Sequence, residues 1–253
     1  MTTRGLYVSV SAARAEESRL RTVLNNIANV QTTGYKQDKT ATTDFHEMLL
    51  SRLGGPPVGD EALPELGALA TSAAAQVPVV DFSQGPLVDT GRPLDLALSG
   101  PGFFAVQTPE GVRYTRFGNL RTDASGLLTQ PDGNPVLGVN GQLHLGPGTI
   151  RVDGEGVVFV DGREAGRLRL VEIPPEAIRK AGANYFEALD ETAAQPARHT
   201  AVNQGFLEGS NVDSARAAIE LMEVLRSYSA AQECVRLQDE VTGRAAGELG
   251  RLG

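Results

Sequence analysis

The residues best equipped for chemistry are three histidines, one cysteine and several acidic turns, and their spacing limits what they can do. His46, His144 and His199 stand far apart in the chain. His46-Glu47 opens like a zinc-protease helix, but the position four after His46 is Leu50 rather than a second histidine. Asp153-Gly154-Glu155 and Asp161-Gly162-Arg163-Glu164 carry carboxylates without the ligand spacing of a calcium loop. The run Ser99 to Gly102 matches neither a nucleophile elbow nor a phosphate loop. Cys234 stands alone, which excludes an intrachain disulfide and any cysteine-based metal cluster. No pair of carboxylates stands out as the two acids of a glycan hydrolase. The expectation is a protein that is not an enzyme, with no catalytic, cofactor-binding or metal-ligating residues and no cofactor.

Composition narrows the field further. The chain has 253 residues, 41% of them hydrophobic, enough for one large domain or two smaller ones with a core. A formal charge of −8 with no basic run argues against a nucleic-acid surface, because phosphate binding draws on clustered Lys and Arg. Lysine occurs only at Lys36, Lys39 and Lys180, all other basic side chains being arginine. That bias reads either as a coding preference or as a supply of planar contacts for interfaces. No apolar run reaches about 18 residues, so no transmembrane helix is expected. The segment after Arg4 lacks the apolar stretch of a cleaved signal peptide.

With catalysis set aside, the elements themselves carry the information. Leu6, Val10, Ala13, Glu17, Leu20, Leu24 and Ile27 alternate spacings of four and three, a coiled-coil seam with one polar member. The spacing predicts a helix from about Gly5 to Val30, roughly 40 Å long. It closes on Asn25, Asn26 and Asn29, with Gly34 placed to adopt the left-handed conformation that ends a helix or the turn after it. Phe45, Met48, Leu49 and Leu53 predict another short helical stretch. From Gly54 to about Val77 the composition is Gly, Pro, Ala and acids with no period, a loop that reads as poorly ordered or partner-dependent.

From Val79 the pattern changes to strands. Leu94, Leu96 and Leu98 alternate with polar or small residues, and Phe103-Phe104-Ala105-Val106, Val112–Phe117, Ile150 with Val152, Val157–Val160 and Arg167–Ile173 follow. Asp132-Gly133, Asn140-Gly141, Asp153-Gly154 and Asp161-Gly162 supply the positive φ values of tight turns. Beyond them Ser210-Asn211-Val212-Asp213 reads as a helix start. Ala218, Leu221, Leu225, Tyr228, Gln232 and Val235 then repeat the spacings of three and four.

Three blocks of residues carry a family resemblance. Asn25-Asn26-Ile27-Ala28-Asn29-Val30 with Thr33-Gly34-Tyr35-Lys36 is similar to the terminal-helix signature of the flagellar basal-body rod proteins. Gly91-Arg92-Pro93-Leu94-Asp95-Leu96-Ala97-Leu98, Gly102-Phe103-Phe104-Ala105-Val106 and Arg113-Tyr114-Thr115-Arg116-Phe117-Gly118 resemble the start of that family's outer β-domain. Gly205-Phe206-Leu207-Glu208-Gly209-Ser210-Asn211-Val212-Asp213 resembles its return to helix, with wording closer to the proximal-rod type.

The resemblance implies a structural subunit whose terminal helices build an inner tube and whose β-domain forms an outer layer. The segment after Lys36 would touch neighbouring subunits. Export through the flagellar apparatus without a cleaved leader, a location in the basal body, and partners among the flagellar axial proteins (rod and hook subunits, and copies of itself) are implied with it.

These readings combine into an α+β fold. Residues 1–53 and 206–253 would form a coiled-coil-like helical domain, 54–78 a linker, and 79–205 a central antiparallel β-domain. The expected assembly surface comprises Leu20, Leu24, Asn25, Asn26, Ile27, Asn29, Gly34, Tyr35, Ser210, Asn211, Leu221, Leu225, Tyr228 and Val235. The alternative that the residue patterns leave open is a secreted β-domain binding protein whose terminal helices close into a discrete oligomer.

Overall fold

The computed structural model describes residues 2–40, 47–51, 65–70 and 78–249. The fold is α+β, with one long helix near each end and antiparallel strands between. It divides into two compact units, residues 1–25, 39–79 and 215–253 in the first and residues 26–38 and 80–214 in the second.

In the first unit, helix α1 (Thr2–Ala28) runs as far as Asn25, and helix α2 (Ser214–Leu249) from Ala215. Between them in sequence lies an antiparallel pair, Glu47–Ser51 with Glu65–Ala70, in which Met48 faces Leu69. This corrects two expectations. Met48 and Leu49 stand in a strand rather than a helical turn, because three or four consecutive apolar residues fit either period and the pairing partner decides. The stretch taken as a linker contains the strand Glu65–Ala70. Phe45 and Leu53 lie outside the described residues, as do 54–64 and 71–77.

The heptad seams are displaced from their expected register. On α1 the deeply buried seam residue is Val23, at 2% exposure, while Leu24 is 47% exposed. On α2 the covered or half-covered positions are Ala217, Leu221, Val224, Tyr228, Ala231, Val235, Gln238 and Thr242, with Glu220 beside them. They alternate four and three, as a heptad seam must. Leu221, Tyr228 and Val235 are half-covered, whereas Ala218, Leu225 and Gln232 are exposed. Nor does Ser210 cap the helix: its Oγ accepts the Val212 amide at 3.3 Å in a turn, and α2 begins four residues later.

The second unit is β-rich. Its largest sheet runs in the spatial order Ile178–Gly182, Tyr185–Ala188, Gly111–Thr115, Gly102–Thr108, Leu170–Glu172, Gln195–Pro196, each neighbouring pair antiparallel. The strand Gly102–Thr108 is apolar on both faces because the sheet is covered on both. Phe104 and Val106 pack with Leu96, Leu98, Leu128, Val158 and Val202. Phe103 and Ala105 face the other way, into a second cluster with Val171, Ile178 and Phe186. There Phe82, Phe103 and Phe186 form a ring of three aromatics with centroids 5.4 to 5.6 Å apart.

The turns show how local chemistry sets the register. Asp161 and Gly162, at φ 50° and 80°, form the two-residue connection of a hairpin that pairs Val160 with Arg163. At Asn140-Gly141 the expected turn is shifted: Gly138 pairs with Gly141, so Val139 and Asn140 make the connection and Gly141 opens the next strand. After Asp153 the left-handed residue is Gly156, while the Asp153 carboxylate accepts the amides of Glu155 and Val157.

Gly118 marks the tightest approach that a glycine makes to the backbone in this unit. A Cβ there would lie 1.7 Å from the Leu96 carbonyl oxygen, in a place where the Leu96 amide already donates to the Gly118 carbonyl at 2.9 Å. Gly118→Ala is expected to separate the two segments and destabilise this unit by about 1–3 kcal/mol, read as a lower urea midpoint. An unchanged midpoint would show that the segments have room to part.

Candidate functional site

The second unit receives the chain from α1 and returns it to α2, and the residues at those two points form its most densely bonded polar cluster. The last turn of α1 contributes Asn26. Its Oδ1 accepts the Tyr35 hydroxyl at 3.1 Å and the Asp38 amide at 2.9 Å, while Nδ2 donates to the Asp38 carbonyl at 2.7 Å. One buried side chain thus folds residues 29–38 back against the helix end. Gly34, at φ 67°, permits that turn, and a Cβ on it would meet the Arg116–Phe117 backbone at 2.7 to 2.9 Å.

The returning segment is tied to the outgoing one. Gly34 N donates to the Glu208 carbonyl at 2.7 Å, and Asn211 Oδ1 accepts the Gln37 amide at 2.8 Å. Asn211 Nδ2 reaches the Asp81 carbonyl at 2.8 Å, so a third segment, residues 81–85, joins the cluster. Gly85 closes it from that side: its amide donates to Glu208 Oε1 at 3.0 Å, and a Cβ there would lie 2.2 Å from the Gly209 carbonyl oxygen.

At the centre is a buried group of charges. Glu208, with a fully buried side chain, accepts Lys36 Nζ at 2.6 Å on one oxygen and Arg116 at 3.3 Å on the other. Lys36 also donates to the Ser83 carbonyl and Arg116 to the Gly100 carbonyl, at 2.7 and 2.6 Å. The Arg116 guanidinium sits 4.9 Å from the centre of the Phe103 ring. Burial depresses the pKa of both cations below the ordinary values, and Glu208 opposes that shift in each. Arg116 Nε has no hydrogen-bond partner among the described residues.

A third cation closes the outer side. Lys180 Nζ lies over the Tyr35 ring at 4.4 Å, donates to the Lys36 carbonyl at 2.6 Å and pairs with Asp38 at 2.9 Å. Burial and, after it, the Asp38 charge push the Tyr35 phenol well above its ordinary pKa, keeping it neutral and donating. Two of the three lysines of the chain, Lys36 and Lys180, therefore serve this one cluster. Their scarcity was the available signal for it, and the blocks around Lys36, Arg116 and Glu208 had drawn notice for other reasons.

Of the expected assembly residues, Asn26, Gly34, Tyr35, Ser210 and Asn211 are brought together here, and within one subunit. Asn29 lies beside them, its Oδ1 accepting the Thr32 hydroxyl at 3.1 Å, and Asn25 is exposed. Leu20, Leu24 and Ile27 lie on α1, and Leu221, Leu225, Tyr228 and Val235 on α2. Within the first unit, Val10, Ala13, Arg14 and Glu17 of α1 and Tyr228, Gln232, Val235, Arg236 and Asp239 of α2 line one groove of about 470 Å³. Arg19 and Glu220 pair across the same two helices at 3.4 Å. No group of three or more metal-ligating side chains occurs among the described residues, and no described helix is long and apolar enough to cross a membrane.

Three family models match in chain order. Residues 6–36 match the flagella basal body rod protein model, 97–177 the flagellar hook protein FlgE/F/G D1 domain, and 203–247 the flagellar basal body rod FlgEFG protein C-terminal model. Among whole proteins, the chain is 33% identical to the flagellar basal-body rod protein FlgF of Caulobacter vibrioides, with 98% of each chain covered. It is 31% identical to the hook-basal body complex protein FlhO of Bacillus subtilis, over 98% of this chain and 99% of that one. To FlgF of Escherichia coli the identity is 30%, over 95% and 96%.

The charge arithmetic of the buried cluster makes its members unequal. Glu208→Ala would leave two buried cations without a counter-charge and is expected to cost about 3–5 kcal/mol of stability. Lys36→Met would leave a balanced Arg116–Glu208 pair and a Ser83 carbonyl still met by Asn211 Nδ2 at 3.1 Å, costing about 1–3 kcal/mol. Lys36→Arg keeps the charge but puts a planar fork where a compact ammonium fits, so it should not rescue. Urea unfolding of the three variants checks the order; equal losses would refute the two-to-one reading.

Proposed function

The chain belongs to the flagellar basal-body rod family, and from that premise we propose that it polymerises helically, through its terminal helices, into the hollow shaft that carries torque to the hook. Its role is that of a structural subunit located in the basal body, where rod proteins assemble with other flagellar axial components. The observation that carries the polymer reading is the apolar surface left open on the first unit. Ile219, Met222, Leu225, Leu237 and Val241 of α2, with Val8 and Leu24 of α1, are all exposed. Several apolar faces on one helix are wasted in a monomer and used when neighbours cover them.

In the polymer, α1 and α2 pair in a coiled-coil-like manner along the seam through Leu221, Val224, Tyr228 and Val235. The flanking residues then meet other copies. Contacts of this heterologous kind do not close on themselves, so identical surfaces repeat as a shaft. The buried cluster suits the same role, since it fixes side by side the two points at which the chain arrives from α1 and departs for α2. Export through the flagellar apparatus is part of the same proposal. For position along the shaft, the 33% identity to a protein named FlgF, against 29% to FlgG of Bacillus subtilis, favours the proximal rod.

Because Leu24 and Leu225 are exposed, replacing either by Asp should leave the isolated chain folded within about 0.5 kcal/mol and abolish motility and rod assembly. Unfolding curves and electron microscopy of basal bodies read the two effects separately. Normal rods in both variants would defeat the proposal. A scattering mass that reaches a plateau with concentration, rather than growing, would favour the closed oligomer. A tagged copy located in isolated basal bodies reports proximal or distal position.

A further inference from the structure

The large sheet of the second unit ends at an edge with an unusual charge pattern. There Leu170–Glu172 pairs with Gln195–Pro196, and Val171 stands opposite Pro196. The Ala197 amide donates to the Leu170 carbonyl at 3.0 Å and carries the pairing one step further, so the next residues to meet across the two segments are Arg169 and Arg198. Each lies two residues from Val171 or Pro196, on the same side of the pleat. All four line one cleft of about 630 Å³, within the size range of ligand sites.

Two arginines brought opposite each other across a strand pair repel, a cost to stability unless an anion lies between them. Among the described residues nothing supplies that anion, since neither Arg169 nor Arg198 has a carboxylate partner. Glu155, the one acid lining the cleft, is held by Arg167: its carboxylate accepts Nη2 at 3.0 Å and its carbonyl accepts Nε at 3.2 Å. Glu172 turns its carboxylate to the amides of Arg198 and His199 at 3.0 and 2.9 Å and to the Thr200 hydroxyl at 3.3 Å. Its other oxygen stands 3.7 Å from His199 Nδ1. In a chain of charge −8, two positive charges in one cleft thus stay unmatched by the fold.

The surface beside the two arginines is apolar. Val171 and Ala194 belong to the second apolar cluster, and with Pro196 they line the cleft next to the cationic pair. A carboxylate offers two oxygens in the plane that guanidinium groups match, and an uncharged chain attached to it would lie along Val171 and Pro196. A small inorganic anion uses only the first of these features, and a neutral apolar molecule only the second.

We propose that this cleft binds a carboxylate carried on a short apolar chain, the chemistry of a fatty acid. Arg169 and Arg198 clamp the head between them, and Ala194, Val171 and Pro196 cover the chain. Binding here does not depend on the polymer reading.

The test uses the full chain and octanoate, followed by titration calorimetry and by urea unfolding. Saturable binding is expected, with acetate and 1-octanol each weaker by roughly tenfold or more because each lacks half of the ligand. Arg169→Gln with Arg198→Gln should weaken octanoate by roughly tenfold or more, and Arg169→Lys, which keeps the charge and loses the fork, should fall between. Octanoate should raise the urea midpoint of the parent chain and leave that of the double variant unchanged. Without ligand, the double variant should unfold at the same or a higher midpoint, because the repulsion is gone.

The exposed apolar residues of the terminal helices are intact in the double variant, so octanoate binding that survives the substitutions belongs to them and overturns the proposal. Absence of saturable binding overturns it as well. Equal binding of acetate would mark a site for any small anion, and equal binding of 1-octanol an apolar cleft with no use for the arginines; either result defeats the proposal. A lower midpoint for the unliganded double variant would show that the arginines support the fold instead of holding a ligand. Tighter binding of acetyl-Ala-Leu than of octanoate would reassign the cleft to a peptide C-terminus.

Discussion

The single carboxylate of Glu208 is the constraint on which the second unit most depends. It lies between two buried cations contributed from positions 36 and 116, so three stretches of chain remote in sequence must converge before Glu208 meets both. Removing such groups from water costs several kcal/mol per ion, and an attraction of one negative charge to two positive ones does not by itself return that cost. The carbonyls of Ser83 and Gly100, the Gly85 amide and the Phe103 ring make up the difference. The arrangement is a poor source of net stability and a good source of uniqueness, since any other register of residue 36 against 208 strands at least one charge.

That constraint also joins parts of the chain that are far apart in sequence. Lys36 and Glu208 are 172 residues apart, and the contact cannot form until the intervening β-rich segment has brought its ends together. In the large sheet two of the five pairings, Gly102–Thr108 with Gly111–Thr115 and Ile178–Gly182 with Tyr185–Ala188, join near neighbours, and the other three join strands remote in sequence. The cluster joins the ends of the unit, with Asn26 and Asn211 tying the backbone around it.

How much of this could be read from the amino acids alone depends on the range over which each signal acts. Class and element order were legible because they rest on local period. The Asp161-Gly162 hairpin was legible because the dipeptide fixes its own geometry. Asn140-Gly141 was not, since pairing of Gly138 with Gly141 outweighed the dipeptide's preference and moved the turn back one residue. On α2 two interleaved stripes share Leu221, Tyr228 and Val235, and only what packs over the helix selects between Val224 and Leu225; the choice of Ala231 over Gln232 was the hint. The ionic cluster was illegible as a cluster, because nothing local links Lys36, Arg116 and Glu208. Yet each sat in a block already singled out, and the rarity of lysine pointed at two of its members.

The two units meet opposite physical demands. In the second, polar groups are buried and matched within the chain, and the sheet is apolar on both faces because each is covered by the unit itself. In the first, seam residues are covered while substantial apolar surface on both helices stays exposed. A subunit that must be soluble before assembly and cohesive after it cannot expose such surface everywhere without aggregating. The β-rich unit also exposes Leu87, Val88, Val112, Val139 and Leu189, but its sheet faces are covered within the unit, whereas on the helices the exposed residues lie on the elements themselves.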